Sequence, residues 1–250
     1  RLAHLRDDEE VCRAELENTL GRLGPVSPSA VRHVHEARTF ALHRLAKSLA
    51  GAGKKTEALA RGKEGLEEGF QDLRANPSRW GAFSRWEEDL RTTIKWQQDL
   101  NDTDAVIETG LKEWLTRIES EASRPNASVW WSRAAASVHR RLASLYKTRE
   151  RMDEATTANR KAFALRSDLL ENELRARGDL VDDVAGAAES FLECVPTDAD
   201  RIDIVLRFAR CAARAAVLRT DDKWRPRWTE SVCEALRLPD HAPPAPLARE

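Results

Sequence analysis

Little in this chain announces chemistry. Its four cysteines, Cys12, Cys194, Cys211 and Cys233, stand far apart. Neither a zinc site nor a disulfide framework is expected from them, and a reducing, cytoplasmic setting is the simplest reading. Net charge is nearly absent, with 41 basic residues against 42 acidic ones. A dedicated nucleic-acid binder needs many uncompensated Lys and Arg contacts to phosphate, so the balance argues against that class and no nucleic-acid partner is expected. No apolar run reaches the length of a membrane span and no signal-peptide pattern opens the chain, so no membrane partner is expected. Residue 1 is Arg rather than Met, which reads as a segment cut from something longer.

Glycine numbers only 11 and β-branched residues are sparse, while Ala, Leu, Arg and Glu dominate. These are helix formers, and the expected fold is all-α. Apolar spacing and breakers predict ten helices, at about 4–23, 29–52, 55–75, 79–99, a fifth ending near 123, then 126–149, 152–177, 180–194, one marked by Ile202 to Ala216, and 222–237. Ile107, Leu111, Trp114 and Ile118 recur at 4, 3 and 4 residues, and Ala155, Ala158, Ala162, Leu165 and Leu169 make a similar stripe. Gly178 is expected to end the seventh helix. Asn76-Pro77-Ser78 and Asn101-Asp102-Thr103 read as breaks, and Pro226 sits in a first turn, where a missing N–H costs little.

The chain repeats itself. Pro28, Pro77 and Pro125 lie 49 and 48 residues apart, and Leu49, Trp96 and Tyr146 recur at 47 and 50. Ala58, Ala105 and Ala155 each follow the bulky residue by nine. The outer two copies resemble the tetratricopeptide repeat (TPR). Leu45-Ala46 and Leu142-Ala143 occupy its Leu–small pair, Leu49 and Tyr146 its aromatic position, and Gly53 its turn glycine. Ala58 and Ala155 match the small residue early in the second helix, where an alanine lets helix B sit close against helix A. The middle copy is degenerate, with Thr92-Thr93 in place of the Leu–small pair. The family repeat is about 34 residues long, whereas this one is near 48. It is similar to the elongated repeats of kinesin light chains and of large actinobacterial signalling and defence proteins, a resemblance carried by Leu45–Ala60 with Asn76-Pro77. That resemblance implies a superhelical array of antiparallel helical hairpins, a bacterial origin and a signalling setting. The expected organisation is a capping helix over 1–28, repeats over 29–219, a second capping helix over 220–238 and a proline-rich tail over 239–250.

Candidate chemistry is thin. His35-Glu36 opens like a zinc-protease motif, but Thr39 stands where the second histidine belongs. His33 and His35 point about 200° apart on a helix and cannot share a metal; with His43 they read as surface or packing residues. Asp198, Asp200 and Asp203 miss calcium-loop spacing, and Asp179, Asp182 and Asp183 sit at a helix start, where carboxylates suit the dipole. No nucleophile–base pattern and no phosphate loop appears, so no catalytic residue, metal or cofactor is expected. Trp80, Trp86, Trp96, Trp114, Trp130 and Trp131 read as core, and Trp224 and Trp228 as one face of the last helix.

The expected function is therefore protein–protein recognition of a protein or peptide in a concave groove. The alternative is a regulatory or sensor segment of a larger signalling ATPase or protease, and a third option is a receptor that closes on a small molecule. The resemblance implies groove positions on the first helix of each hairpin. These give Phe40, His43 and Lys47; Glu87, Leu90, Ile94, Gln97 and Gln98; and Ser137, Arg140, Ser144, Lys147 and Thr148, flanked by Arg44, Arg91 and Arg141. The set is basic apart from Glu87 and predicts attraction for an acidic peptide. The asparagines of the family's carboxylate clamp are absent.

Overall fold

Among the described residues, several helix ends fall at a residue in the left-handed region. The computed structural model describes residues 2–24, 32–75, 80–100, 103–125, 127–172, 178–194 and 198–218. Among them are nine helices and no strand: α1 (Leu2–Leu23), α2 (Arg32–Gly51), α3 (Lys55–Ala75), α4 (Trp80–Asp99), α5 (Asp104–Ala122), α6 (Val129–Thr148), α7 (Met152–Asn172), α8 (Gly178–Leu192) and α9 (Asp198–Leu218). The all-α expectation holds. The expected tenth helix and the tail, with Trp224, Trp228, Pro226 and Cys233, lie outside the described residues, as do Pro28 and Pro77. Gly178 begins α8 instead of ending α7.

The link from α2 to α3 is built on Gly53, at φ +78°. Lys54 N–H bonds back to Leu49 C=O at 2.9 Å and Gly53 N–H to Ala50 C=O at 3.0 Å, which closes the helix with a left-handed cap. The α6–α7 link repeats the geometry with a glutamate. Glu150 has φ +58°, and Arg151 N–H reaches Tyr146 C=O at 3.0 Å. Both caps sit five residues before the alanine of the repeat. Ala58 and Ala155 are each fully buried, and Leu45, Ala46, Leu49, Leu142, Ala143 and Tyr146 are buried with them. The outer two copies thus place their marked residues where the resemblance implies. Ala105 departs from this pattern and is exposed.

The chain divides into two compact units, at Val138 and His139 within the span of α6. In the first unit α1 packs on α2, α2 on α3 and α3 on α4. Leu20, Leu42, Leu45, Leu49, Ala58 and Trp96 form one apolar cluster there, each fully buried leucine contributing roughly 1.5–3 kcal/mol. Aromatics continue the core. Phe70 lies 5.5 Å from Trp114 and 5.2 Å from Trp131, Trp86 meets Trp114 edge-on at 5.9 Å, and Phe83 stacks on Trp130 at 5.5 Å. Helices two apart are also tied. Arg117 of α5 makes two 2.7 Å bonds to Glu67 of α3 while its guanidinium covers Phe70 and Trp114, and Arg74 meets Glu121 at 3.0 Å.

The second unit follows the same rule. Helix α7 packs on α8, α8 on α9 and α7 on α9, around Phe163, Leu170, Val184, Phe191, Ile204 and Phe208. Asn159 of α7 donates to Ser190 C=O at 2.8 Å, and Arg207 of α9 meets Asp168 of α7 at 2.6 Å. Contact with the next helix and the next but one is how stacked hairpins bury a continuous core.

Candidate functional site

The first unit carries most of the positions that the resemblance marks. On α2, Phe40, His43, Arg44 and Lys47 recur at three and four residues, so they share one face. Phe40 is 47 % exposed. It is the one phenylalanine of six that is not buried, and the Arg44 guanidinium lies 5.3 Å from its ring centre. Arg44 is exposed and makes no ion pair among the described residues.

The neighbouring cations are engaged. His43 Nδ1 pairs with the Asp89 carboxylate. Burial pushes the Asp89 carboxyl up, while His43, Lys47 and Arg85 pull it back towards ionisation. Lys47 reaches Glu88 at 3.3 Å, and Arg91 grips the same carboxylate at 3.0 and 2.8 Å. Burial raises Glu88, but hydrogen bonds from Arg91 and Lys47 outweigh it and hold the carboxyl below its ordinary range. Glu87 accepts from the Ser137 hydroxyl. His43 and Lys47 thus tie α2 to the carboxylates of α4, and the Ser137 hydroxyl ties α4 to α6.

In the second unit, a Cβ built on Gly186 would lie 3.7 Å from the Arg140 guanidinium. Arg141 is half-buried, and Ser144 and Lys147 are exposed. Lys147 Nζ meets Glu193 at 2.6 Å, and that hydrogen bond raises the amine's pKa.

Of the remaining sequence candidates, His35 is fully buried and bonds Glu68 at 2.7 Å. Glu68 is also held by Arg38 at 3.1 Å. This is a polar clasp between α2 and α3. Among the described residues no cluster of His, Cys, Asp and Glu could hold a metal ion, and no helix is long and apolar enough to cross a membrane.

Sequence reasoning missed a second feature of this unit. Helices α4 and α5 approach each other only briefly, and a cleft of about 620 Å³ opens between them and α3. Leu66, Leu90, Ile94, Ile107, Leu111 and Trp114 supply its apolar lining. Leu90, Ile94 and Gln97, expected in a groove on the first helices, are among the residues that line this cleft. The signal was present in the degenerate middle copy, whose alanine, Ala105, lies at the cleft wall.

No protein-family model matches the chain, and no curated protein sequence matches it. Solved structures similar to it include the following three. A thermophilic TPR protein of Thermus thermophilus shares 16 % identity over 85 % of this chain and 94 % of that chain, with a TM-score of 0.28. BtubC (BKLC) from P. vanneervenii shares 14 % over 98 % and 96 %, with a TM-score of 0.32. A computationally designed self-assembling cyclic homo-oligomer shares 13 % over 94 % of each chain, with a TM-score of 0.24.

Proposed function

We propose that the chain is a protein–protein interaction module whose exposed α2 face in the first unit seats a segment of a partner protein. The observation that supports this most is Phe40 with Arg44: an exposed aromatic and an unpaired guanidinium stacked on one helix face. Aromatic and arginine side chains dominate interface hot spots, because each brings a large contact area together with a polar or charged group. On this face Arg44 makes no ion pair among the described residues, so an acidic group beside an apolar side chain is the proposed recognition element. Lys47, Glu88 and Arg91 flank it with mixed charge, which favours one register over another more than it adds affinity. Arg141, Ser144 and Lys147 are proposed as a separate contact set in the second unit. A cytoplasmic, bacterial signalling setting is proposed from the sequence alone.

The test starts from a partner captured from the native host and measures its affinity directly by calorimetry. Phe40→Ala with Arg44→Glu should weaken binding by about tenfold or more with helicity intact, and wild-type affinity should fall as salt rises. An unchanged affinity in the double variant would reject this face.

A further inference from the structure

The cleft between α3, α4 and α5 is separate from the α2 face and carries its own argument. We infer that it binds an uncharged, largely apolar small molecule. Its volume of about 620 Å³ falls in the range of about 300–1,000 Å³ typical of small-ligand sites, and its walls are the leucines, isoleucines and Trp114 already named.

Space on the α5 side is kept by the sequence. Gly110 lies inside the helix and lines the cleft, and a Cβ built there meets nothing within 4 Å. Glycine is the costliest residue for a helix interior after proline. The glycines of α3 are explained by close neighbours, since a Cβ on Gly62, Gly65 or Gly69 would meet a side chain within 3.5 Å. Gly110 has no neighbour to accommodate, and what it supplies is room. Ala105 adds to this: its counterparts Ala58 and Ala155 are fully buried, whereas Ala105 is exposed beside the opening.

Polar groups limit what would fit. Thr93 lines the cleft at 3 % exposure, and its hydroxyl has no hydrogen-bond partner among the described residues. Lys63 and Glu113 are exposed members of the lining, one charge of each sign, and neither makes an ion pair among the described residues. Arg117, also in the lining, has its charge taken by Glu67. These charges sum to zero, so a neutral ring compound with at most one or two polar atoms is the complementary ligand.

The probe is N-phenyl-1-naphthylamine, which is uncharged and fluoresces when it leaves water. Titration into the intact chain should show one saturable site. Gly110→Phe places a ring in the cleft and should weaken binding by about tenfold or more, with helicity and melting temperature retained. Ala105→Trp obstructs the opening from an exposed position and gives the same reading should Gly110→Phe fail to fold. Equal affinity in the wild type and a folded plugged variant overturns the inference, as does dye uptake that never saturates. Two further outcomes also overturn it. In one, the free chain binds no dye while a folded Gly110→Phe weakens the captured protein partner, so that the cleft seats a partner's side chains. In the other, the chain sediments as a dimer that the same variant dissociates, so that a second copy fills it. The α2 face is tested by Phe40 and Arg44, so either proposal can fail without the other.

Discussion

Gly53 and Glu150 answer the same backbone demand with different residues. Both stand at positive φ, at +78° and +58°, where glycine escapes the Cβ clash that an L side chain meets. Glu150→Gly should therefore stabilise the protein by about 0.5–1 kcal/mol, the relief of strain exceeding the entropy lost by a freer unfolded chain. Equal denaturant midpoints for variant and wild type would show that the α6–α7 turn holds Glu150 without strain. Gly53 was legible because its residue type advertises the conformation. Glu150 was not, since only its place five residues before Ala155 marks it. The same limit applies at His43. The sequence groups it with Phe40 and Lys47 on one helix face, but its partner Asp89 lies 46 positions away, and nothing local announces an ion pair between helices.

Helix α3 shows how an element is shaped by what it omits. Gly62, Gly65 and Gly69 recur at three and four residues and present a face without side chains to α2 and α4. A Cβ on Gly62 would sit 2.9 Å from both Thr93 Oγ1 and Trp96 Cζ3. Gly62→Ala should cost roughly 1–3 kcal/mol, overpacking outweighing the helix propensity that alanine gains. Gly110→Ala gains the same propensity and faces open space, so it should stabilise by about 0.5–1 kcal/mol. The two make a matched pair in denaturant melts. If both move the midpoint in one direction, the close approach of α3 to α4 is not what the glycine serves. Ala155→Leu should likewise cost roughly 1–3 kcal/mol, because Ala155 is fully buried. Element limits such as Lys55–Ala75 were readable from breakers and apolar period. The cleft was not, because whether a degenerate repeat closes or gapes depends on packing across three helices rather than on any one stripe.

At the scale of the molecule, most of the described groups whose titration the fold displaces point to loss of stability in acid. Hydrogen bonds from Arg117 hold Glu67 below its ordinary range, and Glu88 is lowered as well. A carboxylate with a depressed folded pKa contributes stability that is present above its unfolded value and lost as pH falls through the folded one. Both groups therefore weaken the fold only below about pH 4.5, and Asp89, pushed up by burial, opposes them by taking a proton more readily when folded. His139 acts earlier. Burial, helped by the charge of Lys161, lowers its pKa to about 4, against about 6.5 for an unfolded histidine. Between those values the unfolded chain binds a proton that the folded chain refuses, so stability drops with pH across the window from about 6.5 to about 4. At about 1.36 kcal/mol for each pH unit of that window, the loss is about 3 kcal/mol at most. Urea titrations from pH 7.5 to 4.5 should show this slope, and His139→Leu should flatten it whatever it does to stability at neutral pH. A wild-type profile that stays level from pH 6.5 to 4.5, or a variant with the same slope, would show that His139 takes up its proton without leaving the fold.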